Sequence, residues 1–206
     1  MKIVCITHKC EKQIMLKPIT QLPSKKTWID RGILKYLIKE FKVSSILDIG
    51  CGRGGLYKEC IKLGVKKWVG IEGDKRAHRH NKEIILHDYR TGLSPINDIY
   101  DLGWCIEFLE HLEERYIKNV LPDLLRCKYL LCTTHPPPRK PRLKKKMSNN
   151  WHVNEQPTSY WIELLTKHGL THSDEYLLKI KESGNAPRRK HWVKRHGMFF
   201  INESLL

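Results

Sequence analysis

Several things are scarce or missing in this 206-residue chain, and each shortage removes a class of protein. No apolar run approaches the roughly 18 residues of a membrane-spanning helix, so no membrane partner is expected. Met1 to Cys10 has no long apolar core ahead of a small-residue cleavage site, which argues against a secretory signal. The seven cysteines are odd in number and contain no C-x-x-C pair, so neither a disulfide framework nor a zinc ribbon is indicated. Cys51, Cys105 and Cys132 lie in or beside strand-like segments, where cysteine acts as a small apolar residue. A reducing, cytoplasmic location is the expectation. Acidic residues are also few, 22 Asp and Glu against 38 Lys and Arg, a formal net charge of +16. That excess reads as affinity for polyanions, chiefly nucleic acid. It reads equally as base composition, because Ala77 and Ala186 are the only alanines while Lys and Ile abound.

What is present is enough for a core: 40% hydrophobic residues and six tryptophans, in a length that suits one domain. The chain is organised around Ser45-Ile46-Leu47-Asp48-Ile49-Gly50-Cys51-Gly52-Arg53-Gly54-Gly55. Ile46, Leu47 and Ile49 suit a strand buried on both faces of a parallel sheet. The glycines after it let a ligand approach the backbone with no Cβ in the way. Leu56 to Leu63 has helical spacing, and Gly64 is placed to cap it. Strand, glycine turn and helix together hold nucleotide-containing ligands. The turn satisfies two patterns, D-x-G-x-G-x-G through Asp48 and the dehydrogenase spacing G-x-G-x-x-G through Gly50, Gly52 and Gly55.

Elsewhere the pattern alternates. A helix is predicted over Thr27 to Phe41, with Ile29, Ile33, Leu34, Leu37 and Phe41 on one face. Strands are predicted at Trp68–Ile71, Ile84–Tyr89, Ile99–Ile106 and Tyr129–Thr134, with Leu109–Arg126 largely helical around Pro122. Short apolar strands separated by helical stretches argue for an α/β fold with a mainly parallel sheet. Glu72 closes the second strand roughly 20 residues past the turn, where a carboxylate accepts hydrogen bonds from a ribose diol; Asp74 is the second choice.

In this order, Asp48-x-Gly50-x-Gly52, the strand-end Glu72, Asp88, and Tyr100-Asp101 leading to Glu110-His111 resemble the class I S-adenosylmethionine (SAM) methyltransferases over residues 27 to 170. The resemblance implies a Rossmann-like fold: a seven-stranded, mostly parallel sheet in the order 3-2-1-4-5-7-6, its last strand antiparallel and supplied by Gly197–Asn202, with helices on both faces. It implies SAM as cofactor, with Asp48, Gly50, Gly52, Gly54, Glu72, Asp88 and Trp104 as its contacts, Asp88 facing the adenine amino group. A turn-forming role is the alternative for Asp88. Residues 27–206 would form the methyltransferase domain and residues 1–26 an N-terminal arm or lid.

Glu107-Phe108-Leu109-Glu110-His111 follows the fourth strand. On a helix, Glu107, Glu110 and His111 would share a face and could ligate a divalent cation. The alternative is a solvated acidic helix face with a surface histidine. The pattern Glu-x-x-Glu-His resembles metal-dependent O-methyltransferases, both those of ubiquinone biosynthesis and those that methylate the terminal 2′-hydroxyl of small RNAs. In the RNA enzymes a further histidine past the fifth strand completes the site. His152 is the first choice for it and His135 the rival. The resemblance implies Mg²⁺ or Mn²⁺ held by Glu107, Glu110, His111 and His152; whichever of His111, His152 and His135 is not a ligand is the candidate to take the proton. A bound cation lowers the pKa of a sugar hydroxyl, which is otherwise a poor nucleophile.

The expected acceptor is a sugar hydroxyl of a glycan or glycoconjugate. An RNA ribose is the alternative, reached through basic loops at 139–146 and 188–195, with Trp151 or Trp192 stacking on a base. A non-catalytic nucleic-acid-binding module on the same fold is the third reading. Amino-methylating enzymes with Asn/Asp-Pro-Pro-Tyr/Phe after the fourth strand are disfavoured, because Cys105-Ile106-Glu107-Phe108 stands there.

Overall fold

The computed structural model describes residues 29–78, 81–138, 152–185 and 191–206. The N-terminal arm, the basic loop at 139–146, Trp151 and residues 188–190 of the second basic run lie outside the described residues. Seven strands form one sheet: β1 (Ser45–Ile49), β2 (Lys67–Glu72), β3 (Ile84–Leu86), β4 (Tyr100–Ile106), β5 (Cys127–Thr133), β6 (Thr171–His172) and β7 (Gly197–Ile201). Their order is β3-β2-β1-β4-β5-β7-β6, as the resemblance implies. β1 to β5 are mutually parallel, and β7 runs antiparallel to both β5 and β6.

Both faces are covered, and single strands show why. Successive side chains of a strand point to opposite faces. Ile46 and Phe199 therefore pack on one side with Ile33, Leu34 and Leu37, while Leu47 and Phe200 pack on the other with Val120, Leu124 and Trp161. The first side is closed by α1 (Arg31–Glu40), α2 (Gly55–Lys62), the short α3 (Lys75–His78), α6 (Asp174–Ser183) and α7 (Trp192–His196). The second is closed by α4 (Ile117–Leu125) and α5 (Thr158–Lys167). Full burial of each Leu, Ile or Phe contributes about 1.5–3 kcal/mol. Among the described residues no helix is long and apolar enough to cross a membrane, and the five described cysteines are buried free thiols.

Several expectations need correction. The first helix begins at Arg31, because Asp30 caps it by accepting from the Ile33 amide at 3.2 Å. The third strand stops at Leu86, and Tyr89–Thr91 is a 3₁₀ turn. Leu109–Arg126 is largely helical, but Pro122 neither interrupts it nor starts a segment. Two 3₁₀ turns, Leu109–His111 and Glu114–Tyr116, precede α4, which carries Pro122 inside it. Asp101 of the Tyr100-Asp101 pair lies at the end of the sheet opposite the glycine turn. It stands at the start of β4, where one carboxylate oxygen accepts from the amides and hydroxyls of Ser44 and Ser45 and the other from Lys128 at 2.9 Å. Those bonds outweigh its partial burial and lower its pKa to about 2.

Candidate active site

The carboxyl ends of β1, β2, β4 and β5 carry the candidate residues, the edge where open α/β sheets bind ligands. After β1 the chain turns through Gly50 (φ 72°), Gly52 (φ 55°) and Gly54 (φ 69°), all left-handed, and Gly54 precedes α2. Gly50 is constrained twice, since a Cβ there would lie 2.3 Å from the Phe108 ring. Close packing of Phe108 on Gly50 joins the glycine turn to the Glu107–His111 segment.

Glu72 ends β2 beneath the turn. Its Oε2 accepts from the Gly52 amide at 2.9 Å and its Oε1 from the Asp74 amide at 3.0 Å. A carboxylate has about four lone-pair sites, so these amides leave capacity for a further donor such as a hydroxyl. Burial raises its pKa, and these amides oppose the shift. Asp48 is buried under the turn, and burial together with the charge of Glu72 pushes its pKa well above the usual range. Trp104 is the β4 register partner of Asp48 and is buried beside it. Asp74, the second choice, is paired with Arg76. Asp88 caps the 3₁₀ turn and holds the Arg90 guanidinium at 2.6 Å, which gives it the turn-forming role weighed against a contact with adenine.

The second cluster follows β4 and does not have the helical geometry expected of it. Glu107 is in the left-handed region at φ 54°, not on a helix. A non-glycine residue there is strained by about 1–2 kcal/mol. Thr133 holds it: the Glu107 amide donates to the Thr133 carbonyl and to its Oγ1 (3.0 Å), and Oγ1 donates to Glu107 Oε1 at 2.9 Å. Burial raises Glu107, while the Thr133 bond and the Arg195 charge pull it back.

Glu110 is completely buried, which removes the reading of a solvated acidic face. Its Oε1 accepts from the His135 amide at 3.1 Å, and its Oε2 is buried with no hydrogen-bond partner among the described residues. Burial, reinforced by the charge of Glu107, raises its pKa to about 8. The Glu110 carbonyl accepts from the amides of Val153 (2.9 Å) and Asn154 (3.0 Å) and so fastens the segment before α5 against the site.

Both rival histidines converge there. The His152 ring lies 4.8 Å from that of His111 and 4.7 Å from that of His135. Ligand atoms of Glu110, His111 and His152 all lie within 4.8 Å of one another, as do those of His135, His152 and Glu155. Glu107 falls outside both groups. A buried carboxylate oxygen without a partner among the described residues, beside two imidazoles, fits a divalent cation. Glu155 and Thr133 were missed by reading the sequence. The spacing His152-x-x-Glu155 was a signal for the first; nothing in sequence linked Thr133 to Glu107.

No family model matches the chain. In sequence it is 34% identical over 114 residues to the ribosomal protein L11 methyltransferase of Aquifex aeolicus (strain VF5), a match over 52% of this chain and 42% of that protein. It thus spans under half the length of that relative. Its fold is similar to the plantazolicin methyltransferase BpumL in complex with SAH (TM-score 0.56, 15% identity, 84% of this chain and 83% of that one). It is similar also to the methyltransferase domain of bacterial CtHen1-C (TM-score 0.55, 14% identity, 83% and 94%). A third likeness is to the PH0226 protein of Pyrococcus horikoshii OT3 (TM-score 0.57, 17% identity, 90% and 95%). The fold is that of the class I methyltransferases.

Proposed function

We propose that this chain is a SAM-dependent O-methyltransferase that acts, with a divalent cation, on a sugar hydroxyl flanked by a second hydroxyl. The observation that carries this reading is the unpartnered, buried Oε2 of Glu110 beside His111 and His152, joined to the glycine turn through Phe108. The sequence relative and the structural neighbours that are methyltransferases support the cofactor half of it.

Glu72 accepts the cofactor's ribose hydroxyls, and the glycine turn lets the backbone approach it; Asp48 and Trp104 back the turn, and Asp88 borders the adenine side. The cofactor supplies a methyl group on a positively charged sulfur. Glu110 Oε2, His111 and His152 are the ligands for the cation, with Glu107 and His135 next to them. Their mixed imidazole and carboxylate character favours Mn²⁺ over Mg²⁺. The cation supplies Lewis acidity, which makes the hydroxyl a better nucleophile near neutral pH. Two neighbouring acceptor oxygens held by this cluster are oriented as a pair, a positional gain rather than a chemical one. His135, the imidazole outside the Glu110–His111–His152 group, accepts the hydroxyl proton.

Among sugars, RNA ribose fits this site better than the glycan expected from sequence. Arg195 is exposed on α7 and near enough to Glu107 to lower its pKa, so a cation stands at the rim of the acidic cluster. Label transfer from methyl-labelled SAM decides. Short RNAs with an intact terminal diol should accept label, while periodate-treated RNAs and oligosaccharides should not. Label in periodate-treated RNA, or full transfer in EDTA, would refute the reading. A peptide acceptor is the second reading, favoured by the ribosomal protein methyltransferase relative; it predicts labelled protein and indifference to chelator.

A further inference from the structure

His152 has two ring nitrogens, and a metal ligand needs one of them deprotonated and aimed at the ion. Nδ1 of His152 lies 3.0 Å from Oε1 of Glu155, and the two side chains are 12% and 18% exposed. With the carboxylate as acceptor, the proton between them lies on Nδ1, which leaves Nε2 as the ligand atom. The backbone secures the pair from the other side. Val153 and Asn154 donate to the Glu110 carbonyl, so His152 and Glu155 straddle the point where this segment is fastened to the buried ligand. The same two side chains, with His135, form the second close group of donor atoms. That group reads as a second ion site only if Nδ1 is not already taken by Glu155.

We infer, resting on the metal-assisted reading above, that Glu155 is a positioning residue: it fixes the tautomer and orientation of His152 so that Nε2 faces the cation. The arrangement is a carboxylate–histidine–metal triad, in which the carboxylate also makes the imidazole a stronger donor. Loss of such a partner costs about 10- to 100-fold in metal affinity. Glu155 stands outside the Glu110–His111–His152 group of donor atoms and reaches it through His152.

The test compares the wild-type chain with Glu155→Ala, Glu155→Asp and His152→Asn. In metal-free protein labelled with ¹⁵N-histidine, the ring signal lost in His152→Asn identifies His152. Wild type should show it as the Nδ1–H tautomer, and Glu155→Ala should shift it toward Nε2–H. In Mn²⁺ titrations by calorimetry, wild type should bind one ion. Glu155→Ala should bind it about 10- to 100-fold more weakly, and Glu155→Asp should recover part of the loss. Melting temperature in EDTA and SAM affinity should stay at wild-type values in Glu155→Ala, which separates positioning from a general structural role. Equal Mn²⁺ affinity in wild type and Glu155→Ala would overturn the inference alone. Two ions in wild type and one in Glu155→Ala would make Glu155 a ligand and overturn it as well. Absence of Mn²⁺ binding in wild type would overturn the metal-assisted reading and this inference with it.

Discussion

Replacing Glu110 by Gln removes one titratable group from a fully buried point of the candidate site, and its effect on stability can be worked out with its sign. In the unfolded chain a glutamate loses its proton near 4.5, whereas in the folded protein burial and Glu107 raise Glu110 to about 8. Between those two pH values the folded state holds the extra proton. Stability therefore falls as pH rises, by about 1.4 kcal/mol per unit for one such group. From 4.5 to 7 that amounts to about 3 kcal/mol at most. Gln keeps an acceptor for the His135 amide and carries no charge to desolvate. Its amide must still find partners at the buried Oε2 position, so a gain of about 2 kcal/mol is the reasonable figure. For a chain of this size that raises the melting temperature by about 4–8 °C.

The assay is thermal unfolding in EDTA from pH 4.5 to 8.5. The variant should match wild type near pH 4.5, where both folded states are neutral, and exceed it progressively up to pH 8. Addition of Mn²⁺ should then reverse the ranking, because only wild type can exchange the Glu110 proton for an ion. Parallel curves across the whole range would refute the argument. So would a variant less stable than wild type at pH 7.5 without metal.

Glu72→Ala should weaken SAM binding about 10- to 100-fold, the loss of charge-assisted hydrogen bonds, with Glu72→Gln intermediate in calorimetric titration; unchanged affinity would remove Glu72 from the cofactor site. Gly50→Ala should cost about 2–4 kcal/mol in urea unfolding, because it combines a left-handed backbone with a Cβ driven into Phe108. Asp101→Ala should cost about 2 kcal/mol at pH 7. Its folded pKa of about 2 is depressed, so that contribution is present above the unfolded value near 3.8 and fades as pH falls toward 2. Methyl transfer at low temperature should be unaffected, since Asp101 sits at the far end of β4 from the site.

Much of the fold was legible because the signals are local. Ile46, Leu47 and Ile49 are apolar without alternation, and that alone marks a strand covered on both faces. The turn glycines and the strand-ending Glu72 announce a nucleotide crevice, and Glu72 does reach back to the Gly52 amide. The candidate metal cluster was legible only as a set of residue types. Glu107, Glu110 and His111 were expected to meet through helical spacing, yet the segment is a strained left-handed residue followed by a 3₁₀ turn.

The residues alone, then, determined the sheet, its glycine turn and which side chains are candidates, since periodicity and φ preference act over a few neighbouring positions. Only the tertiary structure decided that Glu110 is buried with one oxygen unpartnered among the described residues, and that His135 and His152 both reach it. Those facts depend on β5 and the segment before α5 being laid against β4. Burial and ring-to-ring distance belong to that packing, and no local pattern in the chain encodes them.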